Sequence, residues 1–313
     1  DHAAPVTALV PLSDRRWLVG SLDHSARLWL PHLGRPLGAP LEFSGGVIDA
    51  VASPEGNRLA VLVAWKGLRV WDLAVNPPTA RDVEFPSEPL SVHWSPEQGL
   101  RVVLSGGEWW QLDDDLQTTR RIELGHPVAV ASLSPDGETL AWIPALALLP
   151  TPAADGTEFR STIRFVPTAD RLHRTTWQSS AETIVPLPAR GDRGIGPVVV
   201  AWIEGNETSE GPVLMYGDDS VWIAAGADPS SPWAKLTELP GAHAIGTSGP
   251  LIPIVGRRSV RLIDPITGQI AFDVSVSSEA TNQVSPTLFG ARCEWDTNSK
   301  SWLIRQASGG LLQ

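Results

Sequence analysis

Three residues near the start of the chain, His2, Ser21 and Asp23, have the side-chain types of a nucleophilic hydrolase. If the fold brought them together, the carboxylate would orient the imidazole, and the imidazole would accept the proton of the attacking hydroxyl. The other common signatures are absent. The sequence has no Gly-x-Ser-x-Gly elbow, no His-Glu-x-x-His helix and no Gly-x-x-x-x-Gly-Lys phosphate loop. A catalytic hypothesis therefore depends on these three residues alone.

The remaining candidate ligands are scattered. His24, His32, His93 and His173 are scattered along the chain without the spacing of a ligand set, so we predict no metal site and no cofactor. The single cysteine, Cys293, excludes an internal disulfide and favours a reducing compartment. We interpret it as a half-buried strand residue.

The elements that must position these residues recur about every forty residues. A marker containing Trp occupies 20–29, 70–73 and 110–112, and a Ser-Pro marker occupies 53–56, 95–99 and 134–137. Because both markers return after 42 and then 39 residues, they indicate one repeat. A period of about 40–45 residues with a terminal Trp-Asp is typical of one propeller blade per repeat.

Each repeat predicts four strands. In the first, the alternating segments Val6–Val10, Trp17–Ser21, Ala26–Leu30 and Pro36–Phe43 become more polar toward the last. This is the gradient of a blade whose inner strands are covered by neighbouring blades. We predict an all-β, seven-bladed β-propeller of four-stranded antiparallel blades, a single domain over 1–313, with blades at about 3–43, 47–85, 90–124, 128–177, 181–239, 242–276 and 284–313.

The repeat resembles the WD-repeat family, in a degenerate form. The resemblance implies a structural hydrogen-bonded tetrad of His2, Ser21, Asp23 and Trp29, all with family-like spacing. A buried imidazole and a buried indole N–H each need a partner, and a carboxylate can supply one. Members of such a tetrad are packed away from substrate. We therefore favour the structural role over the hydrolase hypothesis and predict no catalytic residue.

The resemblance also implies that the turns between second and third strands gather on one rim, where the anchors of an interface would lie. Exposed aromatic and Arg side chains are typical of interface hot spots. An alternative is that the Leu-rich insert of 145–158 folds back on its own blade. The predicted partner-binding residues are Trp65, Lys66, Trp109, Leu146, Leu148, Leu149, Arg257 and Arg258.

Composition excludes two classes of partner. A formal net charge of −11 lacks the basic footprint that nucleic-acid binding needs. No apolar run reaches the ~18 residues of a membrane span, and no signal peptide is present, so we expect a cytoplasmic protein. The chain begins with Asp1, and the only methionine is Met215. We expect it to be part of something longer, in which the missing domains hold any activity.

These features predict a non-catalytic recognition or sensor module that binds a protein partner, or the protein's own missing domains, within a larger bacterial signalling or defence protein. Two alternatives stay open. The first is a propeller enzyme, hydrolase- or lactonase-like, with a site over a central channel. The second is a constitutive scaffold, which differs only in whether partner binding is switched.

Overall fold

The computed structural model is built from β-strands and contains no α-helix among the described residues. It describes residues 2–4, 6–12, 16–30, 35–75, 78–95, 99–134, 137, 139–145, 162–167, 183–186, 199–203, 211–215, 220–224, 233–239, 244–245, 251–255, 259–264, 267–275, 292–296, 301–305 and 311–312. The chain divides into two compact units. One is Thr7–Leu187, and the other is Pro188–Gln313 together with Asp1–Val6. The prediction of a single domain over 1–313 stays a prediction.

The Thr7–Leu187 unit holds four antiparallel sheets, each with its four strands in chain order. The first sheet is β1 Val6–Pro11, β2 Trp17–Ser21, β3 Ser25–Leu30 and β4 Arg35–Glu42; the second is β5 Val47–Ala52, β6 Arg58–Val63, β7 Gly67–Asp72 and β8 Thr79–Val83. The third is β9 Pro89–Ser95, β10 Gly99–Leu104, β11 Glu108–Leu112 and β12 Thr118–Glu123; the fourth is β13 Val128–Leu133, β14 Thr139–Pro144, β15 Thr162–Pro167 and β16 Thr183–Pro186.

The second unit holds the three later sheets among the described residues. They are β17 Val199–Ile203, β18 Gly211–Met215, β19 Ser220–Ala224 and β20 Trp233–Glu238; β21 Ala244–Ile245, β22 Ile252–Val255, β23 Ser259–Ile263 and β24 Ile270–Ser275; and β25 Arg292–Asp296, β26 Ser301–Arg305 and β27 Leu311–Leu312. The predicted all-β class with four-stranded antiparallel sheets is confirmed. For the predicted blades at about 128–177 and 181–239, the structure gives β16, Thr183–Pro186, to the fourth sheet, where it pairs with β15.

Burial within the first three sheets is greatest in the second strand. All five residues of β2 are buried, as are five of the six in β6 and in β10. The fourth strands β4, β8 and β12 are largely exposed. The expected polar outer strand is therefore confirmed here. A strand with neighbours on both sides and sheets over both faces favours a continuous apolar run, as Leu59–Val63 shows.

Consecutive sheets of the Thr7–Leu187 unit pack face to face. One buried cluster joins the first and second sheets through residues such as Leu18 and Val61. Alternate residues of β6, among them Leu62, join the second and third sheets. Val103 and Trp142 lie in a further cluster between the third and fourth sheets. Because successive side chains of a strand point to opposite faces, one strand can serve two clusters.

The strand register corrects the alignment of the third repeat. In the first two sheets the fifth residue of the third strand is a tryptophan: Trp29, which pairs with Trp17, and Trp71, which pairs with Leu59. The fifth residue of the third strand in the third sheet is Leu112, which pairs with Leu100. Leu112, and not Trp110, therefore occupies the Trp position of the repeat. Trp110 lies two residues before this position, and its match to the Trp marker in the sequence is coincidental.

Trp110 instead takes the position of Arg69. Arg69 pairs across the strands with Asp82, with its Nε 2.6 Å from an Asp82 oxygen, and this hydrogen bond lowers the pKa of the Asp82 carboxyl. Trp110 pairs with Arg121, whose guanidinium carbon lies 5.3 Å from the indole centroid. Both pairs join the third strand to the exposed fourth strand, one by charge and the other by a cation–π contact.

Equivalent backbone bonds line one edge of the second, third and fourth sheets. In each case the residue after the second strand donates its amide to the connection that enters that sheet. The bonds are Ala64 N to Gly46 O, Ser105 N to Glu88 O and Ala145 N to Pro127 O, each 2.8 Å long. We call this edge, with the turns 22–24, 64–66 and 105–107 and the connections 43–46, 84–88 and 124–127, the turn edge.

Close packing at the turn edge makes Gly107 sensitive to substitution. Gly107 has φ +93°, and a Cβ there would lie 2.3 Å from the backbone oxygen of His126. Gly125 has φ +79°, but a Cβ there would meet no described atom within 4 Å. Both Ala variants share the left-handed cost of about 1 kcal/mol. We expect Gly107→Ala to lower the free energy of unfolding by at least about 2 kcal/mol more than Gly125→Ala does.

Urea denaturation of the two variants measures that difference directly. Equal midpoints would show that the connection at His126 does not pack on the turn.

Candidate functional site

The turn edge carries an exposed tryptophan. Trp65 is 80% exposed and Lys66 beside it is exposed as well. Trp65 also has φ +59°, in the left-handed region that bulky side chains rarely adopt. The preceding strand is buried, and Lys66 N bonds Val63 O at 3.1 Å, so the turn is closed tightly beneath the indole. The fold thus holds a large aromatic side chain in water at a conformational cost.

Trp109, expected on the same rim, is buried, so the expectation that it stays exposed is wrong. Only 2% of it is exposed, and it lies in the cluster between the third and fourth sheets. It is in register with Val103 and Ile122, which belong to that cluster. The neighbouring Trp110 points to the other face. Sequence alone could not decide which of two adjacent tryptophans faces the fourth sheet.

The other predicted anchors lie outside the described residues. They are Leu146, Leu148, Leu149, Arg257 and Arg258. Of the predicted partner-binding residues, the structure therefore places Trp65 and Lys66 at an exposed edge. Their described neighbours on the turn edge include Leu22, which is 43% exposed, and His24, which is exposed with φ +67°.

The residues of the predicted tetrad are buried or half-buried. Ser21 is fully buried, Trp29 is 6% exposed and His2 is 5% exposed. Asp23 is half-buried. Low exposure suits packed structural groups better than groups that meet a substrate. The tetrad itself stays a prediction.

Asp23 has a partner that the sequence did not suggest. Its Oδ1 accepts a hydrogen bond from Ser25 N at 3.0 Å and another from Ser25 Oγ at 2.7 Å. Asp23 N donates in turn to Ser21 Oγ at 3.1 Å. These bonds fix the turn between β2 and β3, as Asp and Ser side chains commonly do. Ser21 Oγ therefore accepts a hydrogen bond from a backbone amide, which is a structural role.

A buried cation marks the contact between the third and fourth sheets. Arg101 has no exposed surface and donates from Nη1 to the backbone oxygen of Gly137. Its guanidinium carbon lies 5.3 Å from the centroid of the Trp109 ring. The register places Arg101 where the second sheet has Ala60. Arg101 is the one charged residue in the otherwise apolar β10. This interruption is visible in the sequence and could have indicated a buried polar contact.

A cavity of about 580 Å3 opens on the opposite edge of the unit, which we call the Ser-Pro edge because it carries Ser53, Ser95 and Ser134. The Asp113–Asp115 loop borders it. The loop is exposed, and Arg58 pairs with Asp114 at 2.9 Å and Arg81 with Asp115 at 3.8 Å, which attach it to the second sheet.

Within the described part of the chain, no group of three or more His, Cys, Asp or Glu side chains is placed to hold a metal ion. No helix among those same residues is long and apolar enough to cross a membrane.

The chain matches no protein-family model and no curated protein sequence.

The Asp23 bonds predict a stability loss on substitution. We expect Asp23→Ala to lower the free energy of unfolding by about 1–3 kcal/mol, because two donors of Ser25 lose their half-buried acceptor. Asp23→Asn keeps an oxygen at the same place and should lose less. Urea denaturation compares the three proteins, and an unchanged midpoint for Asp23→Ala would show that these bonds do not stabilise the turn.

The two tryptophans predict opposite responses to truncation. Trp109→Ala should lower the free energy of unfolding by about 3–5 kcal/mol, because it empties a site in the core. Trp65→Ala should change it by less than about 0.5 kcal/mol, because the side chain is exposed. Denaturation followed by far-UV circular dichroism measures both. A large loss for Trp65→Ala would mean that its indole is packed.

Proposed function

We propose that the chain is a degenerate WD-repeat-like, seven-bladed β-propeller and that it acts as a non-catalytic recognition or sensor module. Its partner would be another protein, or other domains of a larger bacterial signalling or defence protein in the cytoplasm. The observation that carries the recognition role is Trp65, an exposed indole in a left-handed turn.

The blade arrangement is supported by how neighbouring sheets meet. The hydrogen bonds of the turn edge repeat from sheet to sheet. First strands are also linked to one another, since Thr7 Oγ1 donates to Val47 O and Val92 N donates to Asp49 Oδ2 at 3.4 Å. Consecutive sheets that pack face to face with their first strands adjacent are what a propeller requires.

The recognition role is supported by the energetics of Trp65. Leaving a large aromatic side chain in water forgoes the free energy of burying it, about 1.5–3 kcal/mol for a large apolar side chain. The left-handed backbone adds a further cost. An interface that covers the indole would recover the first of these terms, and Trp is among the most frequent hot-spot residues.

Lys66 and the neighbouring turns extend the surface around Trp65. Leu22 adds a second partly exposed apolar side chain on the same edge. Apolar anchors with a cation at the rim suit a protein partner, in which the indole would be buried and Lys66 would meet an acidic or carbonyl group. Whether binding is constitutive, as in a scaffold, or switched, as in a sensor, depends on that partner.

The test uses Trp65→Asn, since Asn adopts the left-handed region far more readily than Trp. In the natural full-length protein, hydrogen exchange should show protection of residues 63–67 relative to the isolated segment, or on addition of the partner. Trp65→Asn should remove that protection and weaken association by about tenfold or more, while the unfolding midpoint is kept.

Two outcomes would contradict the proposal. One is an interface confined to the Ser-Pro edge or the outer strands, with Trp65→Asn leaving affinity unchanged. The other is turnover of an ester, lactone or peptide that one substitution in the segment abolishes, which would support the propeller-enzyme alternative.

A further inference from the structure

The backbone that carries Trp65 is packed against two neighbouring segments of the chain. Gly45 lies so close to it that a Cβ on Gly45 would be 2.5 Å from the backbone oxygen of Ala64. Gly67, the first residue after the turn, has φ +103°, and a Cβ there would be 2.2 Å from the backbone oxygen of Val83. Neither glycine can gain a side chain unless the backbone moves, so the turn has little room to shift.

Two hydrogen bonds hold the same turn. Ala64 N donates to Gly46 O at 2.8 Å, and Lys66 N donates to Val63 O at 3.1 Å. Trp65 therefore lies between two residues whose backbone is bonded to the adjoining connection and to the end of β6. Because this backbone is already fixed, only the rotation of the side chain is lost when the indole is bound, which lowers the entropic cost of association.

The indole of Trp65 projects from a base of small residues. The positions packed around its backbone include Gly45, Ala64 and Gly67, and 80% of the Trp65 side chain is exposed. The other partly exposed apolar side chain of the turn edge, Leu22, is 43% exposed and belongs to the turn of the first sheet. The surface at Trp65 is therefore a protrusion and not a groove.

A protruding ring and a groove require partners of different shape. An extended segment laid on the turn edge would cover one face of the indole and leave its other face in water. A concave apolar surface covers both faces, and so removes the most aromatic surface from water. Hot-spot side chains of protein interfaces lie in well-packed, fully desolvated pockets. The shape of the Trp65 turn therefore favours a partner with a preformed pocket.

We propose that Trp65 is a pre-positioned anchor that inserts into an apolar pocket of a folded partner domain, and that Gly45 is the residue that positions it. The partner domain belongs to another protein or to another part of the same protein, and is not a second copy of this chain. This inference rests on the proposed recognition function and adds the shape of the partner. The partner supplies the pocket, and this chain supplies the indole.

The experiment is hydroxyl-radical footprinting of the natural full-length protein in its own cells, compared with the purified 313-residue chain. Mass spectrometry reads side-chain oxidation at Trp65, and Phe272, which is 62% exposed, normalises the radical dose. We expect oxidation of Trp65 to fall about tenfold or more in cells, because an enclosed indole is reached only when the complex opens. Contact with one face of the ring would lower it by only about half.

Gly45→Ala tests the positioning role. The added methyl group would meet the Ala64 carbonyl and displace the turn, so Trp65 oxidation in cells should fall by about twofold at most. The matched control is Gly38→Ala, which should keep the full effect, since a Cβ at Gly38 meets no described atom within 4 Å. Circular dichroism shows whether each purified variant keeps its fold. Slow hydrogen exchange of the Ala64 and Lys66 amides in the unsubstituted chain checks the fixed turn independently.

The outcomes separate this inference from the recognition role. A decrease of only about half at Trp65 would overturn the pocket and leave the recognition role standing. Protection that develops in the purified chain as its concentration rises would identify a second copy as the partner and overturn the proposal. No protection of Trp65 in cells would overturn both the pocket and the recognition surface. Full protection in a folded Gly45→Ala protein, or unprotected Ala64 and Lys66 amides, would overturn the positioning role.

Discussion

The fold of the Thr7–Leu187 unit depends on one repeated backbone interaction. In the second, third and fourth sheets, the first residue after the second strand donates to a carbonyl in the connection that enters the sheet, and the same 2.8 Å bond recurs at Ala64, Ser105 and Ala145. A connection between sheets carries polar backbone groups into a crowded edge, where each needs a partner. Meeting that need in the same way each time places consecutive sheets in the same orientation. Gly107, which has φ +93°, lies so close to this connection that a Cβ there would meet the backbone oxygen of His126 at 2.3 Å.

The two markers seen in the sequence have different physical origins. The Ser-Pro marker stabilises a turn. Ser53 Oγ accepts a hydrogen bond from Arg58 N at 3.1 Å, and Ser134 Oγ accepts one from Thr139 N at 2.9 Å. The Trp marker fills space between neighbouring sheets, as Trp71 does between the first and the second. A residue whose side chain bonds the backbone of a turn tolerates little change in chemistry, whereas a packing position accepts a different apolar residue if its neighbours close around it. This difference explains why the Ser-Pro marker persists in the third sheet while the Trp position becomes Leu112.

Departures from the repeat are concentrated in the third sheet. Arg101 replaces a small apolar residue on the face toward the fourth sheet, and Leu112 replaces Trp on the face toward the second. Arg101 is held by Trp109 and by the carbonyl of Gly137, so this contact joins two sheets through a specific polar geometry as well as through apolar burial. On the other face Leu112 is fully buried. Both faces of the third sheet are therefore closed by buried side chains, and only the first includes a buried cation.

The sequence by itself determined the period, the four-strand unit, the antiparallel hairpins and the exposed outer strands. These features follow from alternation and turn chemistry, which are local properties of the chain. It also indicated Trp65 correctly as exposed. It did not determine which of Trp109 and Trp110 is buried, that Leu112 stands in the Trp position, that Asp23 bonds Ser25, or that β16 belongs to the fourth sheet. Those points depend on turn length, strand register and the neighbouring sheet. Alternation defines two faces of a strand, but only the packing of sheet on sheet decides what covers each face.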